Sequence, residues 1–246
     1  MPEMNKLYLS KLILNPRSNQ VRRDLADCQS LHRRILSAFP NVTEDGAKAR
    51  EHFGVLHRLD LSKGREQSRL VLLVQSNIEP DWTVLPEDYC LEIAGESNLV
   101  CKLVTQHYAA VQSGMTLLFR LRANPTRRVS SRCETEKNPR FYGRRVELYR
   151  DEDQIAWLGR KGEMHGFRLL AVKVNRDVPN LNTIPESKIK GGRSGTEKPV
   201  TFGSVLFEGR LAVTDANQFR EALVQGIGSG KAYGFGLLSI ARPVSL

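Results

Sequence analysis

The chain has 246 residues, with 37 Lys or Arg against 27 Asp or Glu and a formal charge of +10; its isoelectric point is near 9.7. An excess of this size calls for a polyanionic partner, and no apolar run approaches the roughly 20 residues needed to span a bilayer. The length fits one large domain or two of about 100–120 residues, each able to bury a core. Cys28, Cys90, Cys101 and Cys133 are scattered without a C-x-x-C pair. That argues against a zinc site or disulfide framework and for reduced thiols in a cytoplasmic protein. The N-terminus leads straight into a strand-like run without the layout of a signal peptide.

Leu7 to Leu14 reads as a strand buried on both faces, ended by Asn15-Pro16. Asp27 is placed to cap a helix running to about Phe39, whose apolar stripe is Cys28, Leu31, Ile35, Ala38 and Phe39. Val55 to Leu61 and Leu70 to Ser76 read as strands around a polar, basic turn. His52 and His57 lack a matching ligand pattern and are expected in surface or loop roles; Trp82 is expected to pack in a core or turn. The stretch Pro86 to Gly114 writes a second helix only weakly. Leu117 to Ala123 is a strand closed by Asn124-Pro125, so the order resembles a β-α-β-β-α-β half.

From Arg120 to Arg150 basic residues dominate, including Arg127, Arg128, Arg144 and Arg145, with Pro, Ser and Thr frequent. This reads as an interdomain connector whose arginines meet phosphates; the alternative is a solvated basic face. Asp151 to Lys161 predicts a helix and Phe167 to Val174 a strand. Arg176 to Pro199 predicts a mobile hairpin or loop, and Val205 to Val213 a strand with an irregularity at Gly209. Asp215 is placed to cap a helix carrying Phe219, Ala222 and Leu223, and Leu237 to Ala241 closes the chain as a strand. The expected domains are therefore 1–124 and 151–246, joined by 125–150.

Between that last helix and strand lies Gly226-Ile-Gly-Ser-Gly-Lys-Ala-Tyr-Gly-Phe-Gly236. Successive free N–H groups in such a loop form a concavity suited to phosphate oxygens, and Lys231 adds a point charge. Close packing without a ligand is an equally good reading of the loop alone. A Walker A loop is excluded, because Ala232 follows Gly230-Lys231 and Gln225 stands where the first glycine belongs. A dinucleotide fingerprint is disfavoured by the helix before the loop and the short chain after it.

Several segments taken together resemble the CasE family of CRISPR repeat-RNA endoribonucleases. They are Leu7-Tyr-Leu-Ser-Lys-Leu-Ile-Leu-Asn-Pro-Arg17, Arg23-Asp-Leu-Ala26, Leu31-His-Arg33, Leu73-Val-Gln-Ser76 with Glu79-Pro-Asp-Trp82, Phe119 to Pro125, Gly166-Phe-Arg-Leu-Leu170, Val205 to Leu211, and the glycine-rich stretch with Lys231. They occur in order over almost the whole chain. The resemblance implies an α+β protein of two tandem ferredoxin-like domains of the RNA-recognition-motif type. It implies cleavage of a CRISPR repeat hairpin in precursor crRNA, with no metal or other cofactor. It also implies that the product stem-loop, the mature crRNA, is retained, and that the protein joins the subunits of Cascade. The family histidine falls on His32.

Residue chemistry is compatible with that role. Scission without metal uses the RNA 2′-hydroxyl as nucleophile and needs a base, an acid for the leaving oxygen and cations for the phosphorane; histidine titrates near neutrality and suits either proton step. On the expected helix His32 lies beside Gln29, three residues before it, and Arg33 shares a face with Gln29. These three are the candidate catalytic residues, with Arg127, Arg128, Arg144, Arg145, Gly228, Gly230, Lys231 and Gly234 as candidate RNA contacts. Taken without the resemblance, His32 reads more readily as an ordinary half-buried histidine; the resemblance reverses that preference. Relatives in the family often carry a tyrosine where this chain has Gln29, an amide that cannot exchange a proton at neutral pH. Tyr8, Tyr233 or Lys231 would then supply the second group, or His32 acts with charged residues alone. The competing function is a non-catalytic stem-loop RNA-binding subunit of a ribonucleoprotein. A nucleotide-dependent enzyme is remote.

Overall fold

The computed structural model describes residues 6–42, 48–63, 68–92, 98–129, 143–175 and 202–243. Two four-stranded antiparallel sheets organise them. The first contains β1 (Tyr8–Leu14), β2 (Leu56–Lys63), β3 (Ser68–Ser76) and β4 (Leu99–Leu103) in the order β2-β3-β1-β4. The second contains β5 (Thr116–Ala123), β8 (Phe167–Asn175), β9 (Val205–Val213) and β10 (Leu238–Ala241) in the order β10-β5-β9-β8. Each is the 4-1-3-2 order of a ferredoxin-like unit, with the two central strands first and third in the chain. The protein is thus an α+β tandem of two such units.

The helices differ between the units. In the first, α1 (Asn19–Ala26) and α2 (Cys28–Leu36) fill the first crossover, followed by the single turn α3 (Ala49–His52). Among the described residues the second crossover holds a 3-10 turn, Trp82–Val84, and no α-helix, and α4 (Thr105–Ala109) follows β4. The second unit has full helices in both crossovers, α5 (Asp151–Met164) and α6 (Ala216–Gln225). Asp27 and Asp215 cap α2 and α6 as expected: each carboxylate accepts from the backbone N–H groups two and three residues on. Trp82 is buried, and its indole N–H donates to Ser10 Oγ at 2.9 Å.

Two sequence expectations are corrected by strand pairing. Thr116–Ala123 was expected to close a first domain ending at 124. It pairs instead with β9 and β10 and is the first strand of the second unit. Residues 125–150, expected to connect the domains, therefore lie between β5 and α5 within that unit. Their described parts pair as a two-stranded ribbon of β6 (Thr126–Arg128) and β7 (Arg145–Glu147). The expected irregularity at Gly209 falls on its partner strand: the register shift lies between Leu169 and Ala171 of β8. A Cβ at Gly209 would sit 2.0 Å from the Ala171 carbonyl oxygen, so glycine is what lets the two backbones approach. The loop 176–199 lies outside the described residues.

Strand periodicity explains how the units join. Val55, just before β2, and Leu59 within it belong to the core under α1 and α2, whereas the alternate residues Leu56, Arg58 and Asp60 are buried on the opposite face. Arg58 holds Asp60 bidentately and donates from Nη1 to the carbonyls of Arg120 at 3.1 Å and Leu237 at 3.0 Å in the second unit. In β3, Gln75 leaves the core formed by Leu72 and Val74 and donates to the Leu223 carbonyl at the end of α6. Tyr108 donates its hydroxyl proton to Gln75 Oε1 at 3.0 Å. Arg58, Asp60, Gln75 and Tyr108 thus form a buried, hydrogen-bonded polar network across the junction, a kind of contact that fixes one orientation.

Candidate functional site

The site is built on α2. Leu31 and Ile35, each 1% exposed, anchor the helix on the first sheet, and burial of such side chains contributes about 1.5–3 kcal/mol apiece. Asp27 fixes the start of the helix by accepting from Gln29 N at 3.2 Å, Ser30 N at 3.0 Å and Ser30 Oγ at 2.7 Å. With the stripe buried, a step of 100° per residue leaves His32 at its edge. His32 and Gln29 are accordingly half-buried and Arg33 is exposed. Arg33 donates to Ser30 Oγ at 3.1 Å and lies 3.8 Å from Asp27, on the solvent side of the helix. It is not among the charged groups that shift the His32 pKa.

Arg50 of α3 is the cation that acts on His32. Burial first, and then the Arg50 charge, push the His32 imidazole down to about 4, so the ring is neutral at physiological pH. Arg50 donates to Glu51 at 2.9 Å, and that carboxylate is mostly in solvent. Below His32 lies His57 of β2, with ring centroids 6.2 Å apart and planes inclined by 22°. His57 shares its strand face with Val55 and Leu59 and is only 1% exposed, contrary to the surface or loop role expected for it. Burial, followed by His32, Arg122 and Arg50, holds it near 3.

The glycine-rich stretch forms the third wall. Gly230 and Gly234 adopt left-handed φ values of 78° and 86° and bracket a 3-10 turn, Lys231–Tyr233, which packs against α2 and β2. Gly226 brings the stretch onto β2: a Cβ there would lie 2.9 Å from Leu56 Cδ1. The stretch closes on itself through Ile227 N to Gly236 O at 2.9 Å, and on β5 through Gly236 N to Arg122 O at 2.8 Å. Gly228 lies over the Trp157 ring. These contacts are protein on protein, so close packing accounts for the spacing of the glycines. The chemistry of the stretch is concentrated in Lys231. Burial, and then Arg50 and Lys161, lower its pKa. His165 is lowered by burial and by Lys161 and Lys231. The wall therefore gathers cations around two neutral histidines, an arrangement that attracts an anion.

The four arginines singled out in the sequence come together elsewhere, on the β6–β7 ribbon. Arg127, Arg128, Arg144 and Arg145 are all exposed, and Arg128 faces Arg145 directly across the ladder. A like-charged cross-strand pair destabilises a bare ribbon. Leu148, buried at one end of the ribbon, and Val129, buried at the other, hold it in place.

The sequence named His32, Gln29 and Lys231 as candidates and did not point to Arg50 or to a buried place for His57 beside His32. Arg50 sits in a four-residue helix too short to show periodicity. His57 lies in a strand buried on both faces, where its facing partner depends on long-range pairing.

Comparison with known proteins agrees with this architecture. The family described as CRISPR associated protein matches residues 7–242. The CRISPR-associated endoribonuclease Cse3 of Thermus thermophilus is 37% identical over 236 residues, covering 96% of this chain and all of that protein. The CRISPR system Cascade subunit CasE of Escherichia coli is 36% identical over 135 residues, 53% of this chain and 60% of the relative. The structure of Thermus thermophilus Cse3 bound to an RNA representing a pre-cleavage complex superposes with a TM-score of 0.70 at 33% identity, covering 96% of this chain and all of that one. The chain belongs to the CRISPR-associated family that contains Cse3 and CasE.

Proposed function

We propose that this protein is an endoribonuclease that cuts CRISPR repeat hairpins in precursor crRNA without a metal ion, by attack of a 2′-hydroxyl on its own phosphate. The observation that carries the reading is the neutral, half-buried His32 between Arg50 and the Lys231 turn. A neutral imidazole can accept the 2′-hydroxyl proton, and the flanking cations stabilise the dianionic phosphorane. Lys231, whose turn packs against α2 and whose pKa is lowered by burial and then by Arg50 and Lys161, supplies the second group that Gln29 cannot. The relatives support the substrate: one is an endoribonuclease seen with a pre-cleavage RNA, another a Cascade subunit. The product stem-loop then stays on the protein as part of the Cascade complex. The free thiols Cys28, Cys90 and Cys101 fit a cytoplasmic setting.

The purified protein is expected to cut a repeat hairpin in EDTA and leave a 2′,3′-cyclic or 3′ phosphate. A 2′-deoxy nucleotide before the cut should abolish the reaction, because it removes the nucleophile. Cleavage that needs a divalent ion, or that proceeds on the deoxy substrate, overturns the mechanism. Hairpin binding without any cleavage would establish the stem-loop-binding subunit instead.

The ribbon supplies affinity without sequence preference in this reading, since an A-form stem is recognised chiefly by shape and phosphates. Replacing Arg127 and Arg128 together by alanine should weaken several hairpins to the same degree. It should also flatten the dependence of log K on log salt by roughly 0.7–0.9 per lost phosphate contact. An unchanged slope in a titration series would show that both side chains only face solvent.

A further inference from the structure

His57 has no part in the chemistry described above, yet its placement is unusual. It is 1% exposed, and neither ring nitrogen has a hydrogen-bond partner among the described residues. Its nearest ring is His32, whose Nδ1 is also buried and unpartnered. Three imidazole nitrogens with unmet hydrogen bonds thus sit in one small region, where each such group costs free energy. A neutral imidazole carries one donor and one acceptor. A single water spanning the two neutral rings therefore satisfies His32 Nδ1 and one nitrogen of His57. Centroids 6.2 Å apart, with no direct hydrogen bond, leave the separation that such a bridge covers.

We propose that His57 is a positioning residue for His32: the stacked ring sets its orientation, and one bridging water ties His32 Nδ1 to His57 and fixes which nitrogen of His32 carries the proton. With Nδ1 donating inward, Nε2 keeps its lone pair free for the RNA 2′-hydroxyl. The strand face makes the placement possible, because β2 puts position 57 beneath α2 and positions 56 and 58 toward the second unit. The charged groups that act on the pair are Arg50 from α3, on both rings, and Arg122 from β5, on His57, both cationic. Burial first, and then these cations, keep both rings neutral, as the bridge requires.

The inference rests on His32 being the group that accepts the proton, and the test separates the two claims. His57→Phe keeps an aromatic ring and removes both nitrogens. It should bind the 2′-deoxy hairpin within about twofold of the parent protein and cleave the ribose hairpin about 10–100-fold more slowly, the range usual for loss of an outer-shell partner. NMR of isotope-labelled imidazole nitrogens should show His32 in one neutral tautomer in the parent and in a mixture in His57→Phe. His57→Gln, which offers a donor and an acceptor again, should recover part of the rate. Wild-type cleavage by His57→Phe with unmoved His32 resonances overturns the proposal. Should His57→Phe not fold, the parent spectrum decides alone: a single His32 tautomer sustains the proposal and free exchange between tautomers defeats it. If His32→Ala is inactive while His57→Phe is normal, only the positioning role fails; if His32→Ala cleaves normally, the catalytic assignment itself is wrong.

Discussion

Replacing His32 by alanine is expected to slow single-turnover cleavage of a repeat hairpin by about 10²–10⁴-fold, the usual cost of losing a positioned acid or base. Affinity for the hairpin should stay close to that of the parent. The separation follows from the layout of the molecule. His32 is one half-buried ring at the edge of α2, whereas the cations proposed to meet phosphates are spread over Lys231, Arg50 and the β6–β7 ribbon. Dependence on pH sharpens the expectation. Because burial and Arg50 hold the free His32 near 4, the acid limb of kcat/KM, which reports the free enzyme, should lie well below the ordinary histidine range near 6.5. In the RNA complex, the phosphate charge should move the corresponding limb of kcat upward. A His32→Ala protein that cuts at the parent rate, or a kcat/KM profile with its acid limb at 6.5, would contradict the assignment.

Loss of Arg58 should damage the whole molecule. Its guanidinium is 1% exposed, grips both oxygens of Asp60 at 2.9–3.1 Å and donates to two carbonyls of the second unit. In Arg58→Met the Asp60 carboxylate remains buried, with Arg120 3.7 Å away as its remaining partner, and Arg120 is already engaged by Glu208. Breaking a buried pair by removing one member typically costs about 3–5 kcal/mol, which urea unfolding would register as a large fall in midpoint. The double variant Arg58→Met, Asp60→Leu should recover only part of that loss: it removes the stranded carboxylate but also takes from buried Arg122 the acid that supports its charge. A fall of less than about 1 kcal/mol in the single variant would show that the network contributes little net stability.

What the sequence made legible follows the range of the forces involved. Asp27 and Asp215 were visible as caps because an N-cap acts on backbone two and three residues away. Val205–Val213 was visible because its two apolar runs, Val205–Phe207 and Leu211–Val213, are local and rich in strand-forming residues. The helix α1 was not, since only Val21 and Asp24 are buried along it. Asp24 is an acid made tolerable by Arg34 at 2.9 Å and the Tyr89 hydroxyl at 3.0 Å, partners that lie ten and sixty-five residues away. Thr116–Ala123 was recognised as a strand and assigned to the wrong unit for the same reason. A strand's identity is local, but its sheet is chosen by partners far along the chain, here Val205–Ala212 and Leu238–Ala241. In the site, the helix edge that carries His32 could be read from periodicity. The ring beneath it and the arginine beside it are set by tertiary pairing.

The turn that carries Lys231 belongs to the second unit but leans on α2 and β2 of the first. The turn of residues 231–233 can reach α2 only after nearly the whole chain between them has been made. During synthesis, then, the first unit emerges without the Lys231 turn against it. In the proposed site an interrupted chain lacks the second proton-transfer group and is expected not to cut RNA. In the proposed site, competence switches on when the final stretch swings back onto the first unit, so the geometry acts as the enzyme's own check that translation has reached its last helix and turn.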